Sequence, residues 1–253
     1  MELERSVVED VARRIIGDAG ARLEHWSIEP IGGGASGEIG FTAGVQRVRG
    51  VARTPSGPTD WSVIVKVLTN APVNVGSLAP PPRDDPRTIQ FWRREAEAYA
   101  SGRLDHLGGG LVAPRCWRID EGRGSEIALW LEDLPDEGPT VWSQERLALA
   151  AYHLGQFNAS ALDDTGALGW PSLTRGRVEG WIAEAEPWMS RIHDGRREGF
   201  EMRWLSDGSA DRIERQWRQR DHLMAVLERL PVTLCHHDAH RRILGSMLVA
   251  GQD

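Results

Sequence analysis

The chain of 253 residues carries 30 basic and 37 acidic side chains, a net charge of −7, and 40% apolar residues. A chain of this size buries a substantial core in one large domain or two lobes, and its balance of apolar and charged residues is that of ordinary globular proteins. The acidic balance argues against a general nucleic-acid or membrane surface as partner, because both select clustered positive charge.

In chain order, Val7, Val8, Val11 and Ile15 recur at helical spacing, and Gly17 with Gly20 closes that first helix. This stretch is charged and has no apolar leader core, and no apolar run approaches the ~20 residues a bilayer span needs, so a cytoplasmic location is expected. From about residue 24 to 68 short β-branched and alternating runs predict strands, broken by "GGGASG" and by "RTPSGPTD". A proline-rich connector, "NAPVNVGSLAPPPRDDPR", leads into a predicted helix over 88–104. Two further strands, "PRCWRID" and "EIALWLEDL", follow. The second half then turns helical at 142–161, 177–192 and 209–230, before "VTLCHHD" reads as a strand running into a loop. Cys116 and Cys235 are too few for a disulfide framework and read as small buried hydrophobes. The tryptophans of the helical half (Trp142, Trp170, Trp181, Trp188, Trp204, Trp217) read as core. The expectation is an α+β chain in two lobes with a hinge near 132–136.

Three segments carry chemistry. "PIGGGASGEIGF" holds Gly32-x-Gly34-x-x-Gly37. A dinucleotide fingerprint needs a helix directly after the loop, yet Ile39, Phe41, Ala43 and Val45 alternate as in a strand. A P-loop needs Lys and Ser/Thr, where this chain has Glu38 and Ile39. Strand–loop–strand fits a hairpin whose glycine tip donates backbone N–H groups to phosphates, or a plain flexible turn.

"WSVIVKVLTN" contains Lys66, the single lysine of the chain. Val63, Val65 and Val67 share one face of that strand, and Ile64, Lys66 and Leu68 the other. An ammonium among apolar neighbours needs an anionic partner or a function. Lysine in a chain that otherwise uses arginine suits a compact point charge on phosphate. In "TIQFWRREAEAYASGRL", Glu95 shares the stripe of Phe91, Trp92 and Tyr99, so Glu95 is the expected partner. Glu97 is about 200° further round the helix and is expected to face water.

"TLCHHDAHRRIL" gathers His236, His237 and His240 around Asp238. These residue types suit a metal site or a histidine-based metal hydrolase, although no second cluster of matching spacing accompanies them. They suit equally a core-plus-loop segment.

Taken together, a glycine-rich hairpin, a strand lysine, a helix glutamate, an acidic hinge and an H-x-D loop occur in that order over roughly residues 25–242. The chain thus resembles the aminoglycoside phosphotransferase family, of protein-kinase-like fold, most specifically at "HHDAH". The resemblance implies a β-rich N-lobe with one inserted helix (1–134) and a mostly helical C-lobe with the catalytic loop (135–253). It implies ATP as co-substrate, Mg2+ as cofactor, and a small-molecule hydroxyl acceptor, aminoglycoside-like or another small polar compound. Lys66 would hold the α- and β-phosphates and pair with Glu95. Gly32, Gly34 and Gly37 would cover the triphosphate. Glu132, Asp133 and Leu134 would be the hinge that recognises adenine, and Asp238 the catalytic aspartate.

The chain departs from that pattern at its end. The family's magnesium-binding asparagine, five residues after the catalytic aspartate, corresponds to Ile243. The family's later metal-binding aspartate has no counterpart in apolar and aromatic surroundings, and Asp253 is the one acid after Asp238. The resemblance therefore implies an incomplete, truncated C-lobe, with a shifted reading frame after Arg242 as its expected origin. The alternative function is a kinase-like nucleotide-binding module without catalysis.

Overall fold

The computed structural model describes residues 3–31, 42–71, 84–86, 88, 91–122, 125–134, 142–163, 169–174, scattered positions between 178 and 189, and 207–235. Helix α1 spans Arg5–Ile16, and Val8 and Val11 are fully buried on its inner face. Gly17 ends it alone, with φ 75° and its N–H on the Arg13 carbonyl at 2.9 Å. Only glycine enters that left-handed conformation without steric cost.

Five strands follow: β1 (Arg22–Pro30), β2 (Thr42–Thr54), β3 (Gly57–Thr69), β4 (Cys116–Glu121) and β5 (Glu126–Glu132). They form one sheet in the order β1-β2-β3-β5-β4, and every neighbouring pair is antiparallel. The break expected at "RTPSGPTD" is a tight hairpin in which Thr54 pairs with Gly57 (φ 116°). Gly50 must lack a side chain, because a Cβ there would collide with the His25 backbone of β1.

Alternation along the strands separates two packed faces. On one, Val48, Trp61, Val63, Val65 and Trp130 pack against Val8 and Val11 of α1. On the other, Leu68, Ile127, Leu129 and Leu131 lie under Trp92 and Ala96 at helix α2 (Arg94–Ala100). Burying each of these side chains stabilises the fold by roughly 1.5–3 kcal/mol, so the central strands β3 and β5 carry the largest share.

Helix α2 is shorter than the predicted 88–104. Residues 92 and 93 form a turn, and Gly102 at φ 69° stops the helix before the single 3-10 turn Arg103–Asp105. The second half supplies α3 (Gln144–Asp163), α4 (Asp207–Arg218) and α5 (Arg220–Leu227). The predicted helix 209–230 is thus two helices, parted at Gln219, whose φ −95° and ψ 6° leave the helical range. The apolar spacing runs on through that break, which is why periodicity alone merges them. Residues 231–235 are irregular rather than a strand, with no sheet partner among the described residues.

The two halves touch. Gly108, Gly109 and Gly110 all have positive φ (71°, 62° and 75°), and this turn lies against α3. A Cβ on Gly109 would stand 2.6 Å from the Phe157 nitrogen, and the Gly109 carbonyl meets His153 Nδ1 at 2.5 Å.

Candidate functional site

Lys66 sits on β3, opposite Val45 of β2 and Leu129 of β5. Its side chain emerges on the α2 face, because that face takes every second residue from Ile64 to Leu68. The first turn of α2 brings Glu95 over it, and Lys66 Nζ lies 2.5 Å from Glu95 Oε2. The expected partners therefore meet.

The ammonium expected among apolar neighbours is only partly buried, since 27% of the Lys66 side chain and 36% of the Glu95 side chain are open to solvent. Trp92 and Ala96 bury Leu129 and Leu131 but leave Ile64 only partly covered, so Lys66 stands at the margin of the apolar patch. A pair this open contributes only about 0–1 kcal/mol to stability. Its placement on an interior strand is therefore not explained by stabilisation.

Around the pair the environment is apolar. Burial, followed by the Glu95 charge, holds the Tyr99 hydroxyl far above its ordinary range. Burial also raises the Cys116 thiol, against backbone hydrogen bonds with Arg118 and Trp130 and with a smaller contribution from Glu95. Cys116 is thus a protonated thiol of low reactivity, half-buried rather than enclosed.

Glu132 closes β5, and Asp133 and Leu134 follow it. The Glu132 amide donates to the Arg115 carbonyl at 2.8 Å, and its carboxylate accepts the Arg115 amide at 3.1 Å. Asp133 is gripped by Arg47 of β2 in a two-pronged contact, Nε to Oδ2 at 2.8 Å and Nη2 to Oδ1 at 3.1 Å. The hydrogen bond to Asp133 keeps the Arg47 guanidinium firmly protonated, against a cost from burial. Arg47 stands opposite Ile64, one position along the same face from the Val45–Lys66 pair, so the Arg47–Asp133 bridge neighbours the lysine.

An open cleft of about 720 Å³ lies toward the other end of the sheet, nearer the β2–β3 hairpin, lined among others by Ser27, Arg49, Asp60, Ser62, Glu132 and Asp133. It includes two of the expected hinge residues and neither Lys66 nor Glu95. We place the candidate site at the ion pair, near the end of the sheet where β1 ends at Pro30 and β2 begins at Thr42, opposite Leu68.

Gly32, Gly34, Gly37, His236, His237, Asp238, His240, Ile243 and Asp253 lie outside the described residues. The chain leading to Asp238 is anchored on α3: the Thr233 hydroxyl donates to the Asn158 carbonyl. Among the described residues no cluster of His, Cys, Asp or Glu is arranged to hold a metal, and no helix is long and apolar enough to cross a membrane.

Sequence reasoning missed three residues around this site. Arg47 has a faint signal, a long cation at a half-buried position of an alternating strand. Ser172 and Arg94 have none, because their partners are remote: the Arg94 guanidinium donates to the Ser172 carbonyl at 2.7 Å, across 78 residues. Glu97, expected in water, is half-buried and accepts the Ser172 hydroxyl. No protein-family model, no curated protein and no solved structure matches the chain.

Proposed function

We propose that this chain is an ATP-dependent phosphotransferase of protein-kinase-like, two-lobed architecture. It passes the γ-phosphoryl group to a hydroxyl of a small polar acceptor, aminoglycoside-like by resemblance. The observation that carries the reading is the Lys66–Glu95 pair, joining the third strand to the inserted helix. A strand lysine held by a helix glutamate is the pairing that positions ATP phosphates in protein kinases. The residue choice points the same way. Arginine grips a carboxylate better than lysine, and the chain uses arginine at its other basic positions. A lysine retained at one partly open position is suited to a phosphate as well as to Glu95.

In this reading Glu95 orients the ammonium, which neutralises the α- and β-phosphate oxygens. Gly32, Gly34 and Gly37 cover the triphosphate with backbone N–H groups. The Glu132 amide is committed to Arg115, so base recognition falls to the Glu132 carbonyl and to Asp133 and Leu134. Asp238 orients the acceptor hydroxyl and takes its proton as the oxygen bonds to the γ-phosphorus. The bond from that phosphorus to the bridging oxygen breaks, and ADP leaves with the electron pair. Catalysis of this kind rests on positioning and charge neutralisation.

The residues at the magnesium positions do not fit that ion. Magnesium takes oxygen ligands in near-octahedral array, and the aliphatic Ile243 offers none. Ile243 favours a second reading, a nucleotide-binding module that grips ATP through Lys66 without transferring phosphate.

A thermal-unfolding titration with ATP, with and without magnesium, tests both readings against Lys66→Ala. Saturation at about 100 times the dissociation constant stabilises a protein by roughly 2.7 kcal/mol. Stabilisation that requires Lys66, with ADP formation abolished by Asp238→Ala, is expected of the phosphotransferase. Lys66-dependent stabilisation without turnover selects the binding module. No stabilisation overturns both.

A further inference from the structure

We infer that Ser172 is a positioning residue: the turn 169–174 clamps α2 and so holds Glu95 against Lys66. The inference rests on the reading above for its functional meaning, but not for its geometry.

Helix α2 has seven residues, and helices below about 12 residues are marginal on their own. Its orientation is therefore set by what grips it. On the sheet side Trp92 and Ala96 are buried, but apolar contacts of this kind are non-directional and resist rotation about the helix axis weakly. Directional contacts from the sheet are the Lys66–Glu95 pair and the exposed Arg93–Glu121 bridge to β4, and the rest come from elsewhere. The Arg94 guanidinium donates to the Ser172 carbonyl at 2.7 Å and to the Pro86 and Thr88 carbonyls at 2.9 and 2.6 Å. The Ser172 hydroxyl donates to the Glu97 carboxylate.

Arg94 and Glu97, three apart, lie on one side of the helix, and they bracket Glu95 in sequence. Turning α2 by one residue, about 100°, would carry Glu95 away from Lys66. The contacts to Ser172 oppose that rotation. Ser172 is only 3% exposed although it is polar, so its hydroxyl has little access to water as a substitute partner. Losing the Ser172–Glu97 contact would leave a half-buried carboxylate short of a donor, which favours a turned α2 with Glu97 in solvent.

The clamp has a direct probe, because Lys66 is the single lysine. In protein labelled with 15N at lysine Nζ, one ammonium resonance reports the ion pair. Glu95→Gln supplies the reference position for a broken pair, and far-UV circular dichroism checks that each variant is folded. Ser172→Ala is expected to move the resonance most of the way to that reference and to raise the dissociation constant for ATP about tenfold, the size of one charged hydrogen bond. Glu97→Ala is expected to do the same. Glu97→Gln, whose amide oxygen accepts the same hydroxyl, should keep the resonance near its wild-type position.

An unmoved resonance in folded Ser172→Ala and Glu97→Ala overturns the clamp. So does a Glu97→Gln protein that behaves like Glu97→Ala, since the hydroxyl acceptor would then be irrelevant. A resonance that shifts as expected in a protein that never binds ATP supports the clamp and overturns the nucleotide reading.

Discussion

The sheet half and the helical half follow similar periodic rules in sequence, yet bury their apolar side chains very differently. In the first, Val8, Val11, Val48, Val63, Val65 and Leu129 are completely enclosed. In the second, Leu147, Tyr152, Leu223, Leu227 and Leu230 are between 43% and 60% exposed. The reason is layering. A five-stranded sheet between α1 and α2 has both faces covered by its immediate sequence neighbours. The described helices of the second half touch one another far less: α3 buries Ala150, Phe157 and Ala161, and α5 buries nothing. Amphipathic spacing specifies a helix, but another element must supply what covers it. The candidate site follows the same division, with the ion pair on the enclosed half and the chain toward Asp238 on the open one.

Substitutions can break or sharpen this contrast. The largest effect is expected at Trp130, 1% exposed, with its indole N–H on Asp120 at 2.9 Å. Trp130→Ala should cost about 3–5 kcal/mol in urea unfolding, and a cost below about 1 kcal/mol would erase the distinction. Next, Lys66→Ala should remove the ATP-dependent stabilisation of roughly 2.7 kcal/mol while shifting unliganded stability by under about 1 kcal/mol. A large loss without ATP would instead make the pair a structural element of the enclosed half.

A pH scan separates the halves further. Tyr99 and Cys116, both on the sheet half, are acids whose folded pKa values lie above their ordinary 10.0 and 9.0. The folded state binds their protons more tightly. The stability they contribute is complete below the ordinary values and is lost as pH rises through them. The melting temperature should begin to fall above pH 9 and fall faster above 10, and Tyr99→Phe should flatten the second phase. The smallest effect belongs to α5: Leu227→Gln, at a position 47% exposed, should stay within about 0.5 kcal/mol of wild type. A loss like that of Trp130→Ala would show that the helical half is as enclosed in solution as the sheet.

Much of the sheet half was legible in the sequence. Alternation marked β2 and β3, and Gly17 marked the end of α1. Helical geometry chose Glu95 over Glu97 as the partner of Lys66, and they meet. Local signals also misled. Glu97 accepts the buried Ser172 hydroxyl instead of facing water.

By itself the sequence determined the period of each element, the strand residues that share the Lys66 face, and the presence of one lysine where arginine is otherwise used. These depend on backbone geometry within a few residues. Only the tertiary structure decided that Arg47 takes Asp133 across 86 residues and that Ser172 holds Glu97 across 75. Such contacts form where folded elements bring remote side chains within hydrogen-bond reach. Their free energy depends on distance in space, and no local periodicity records it.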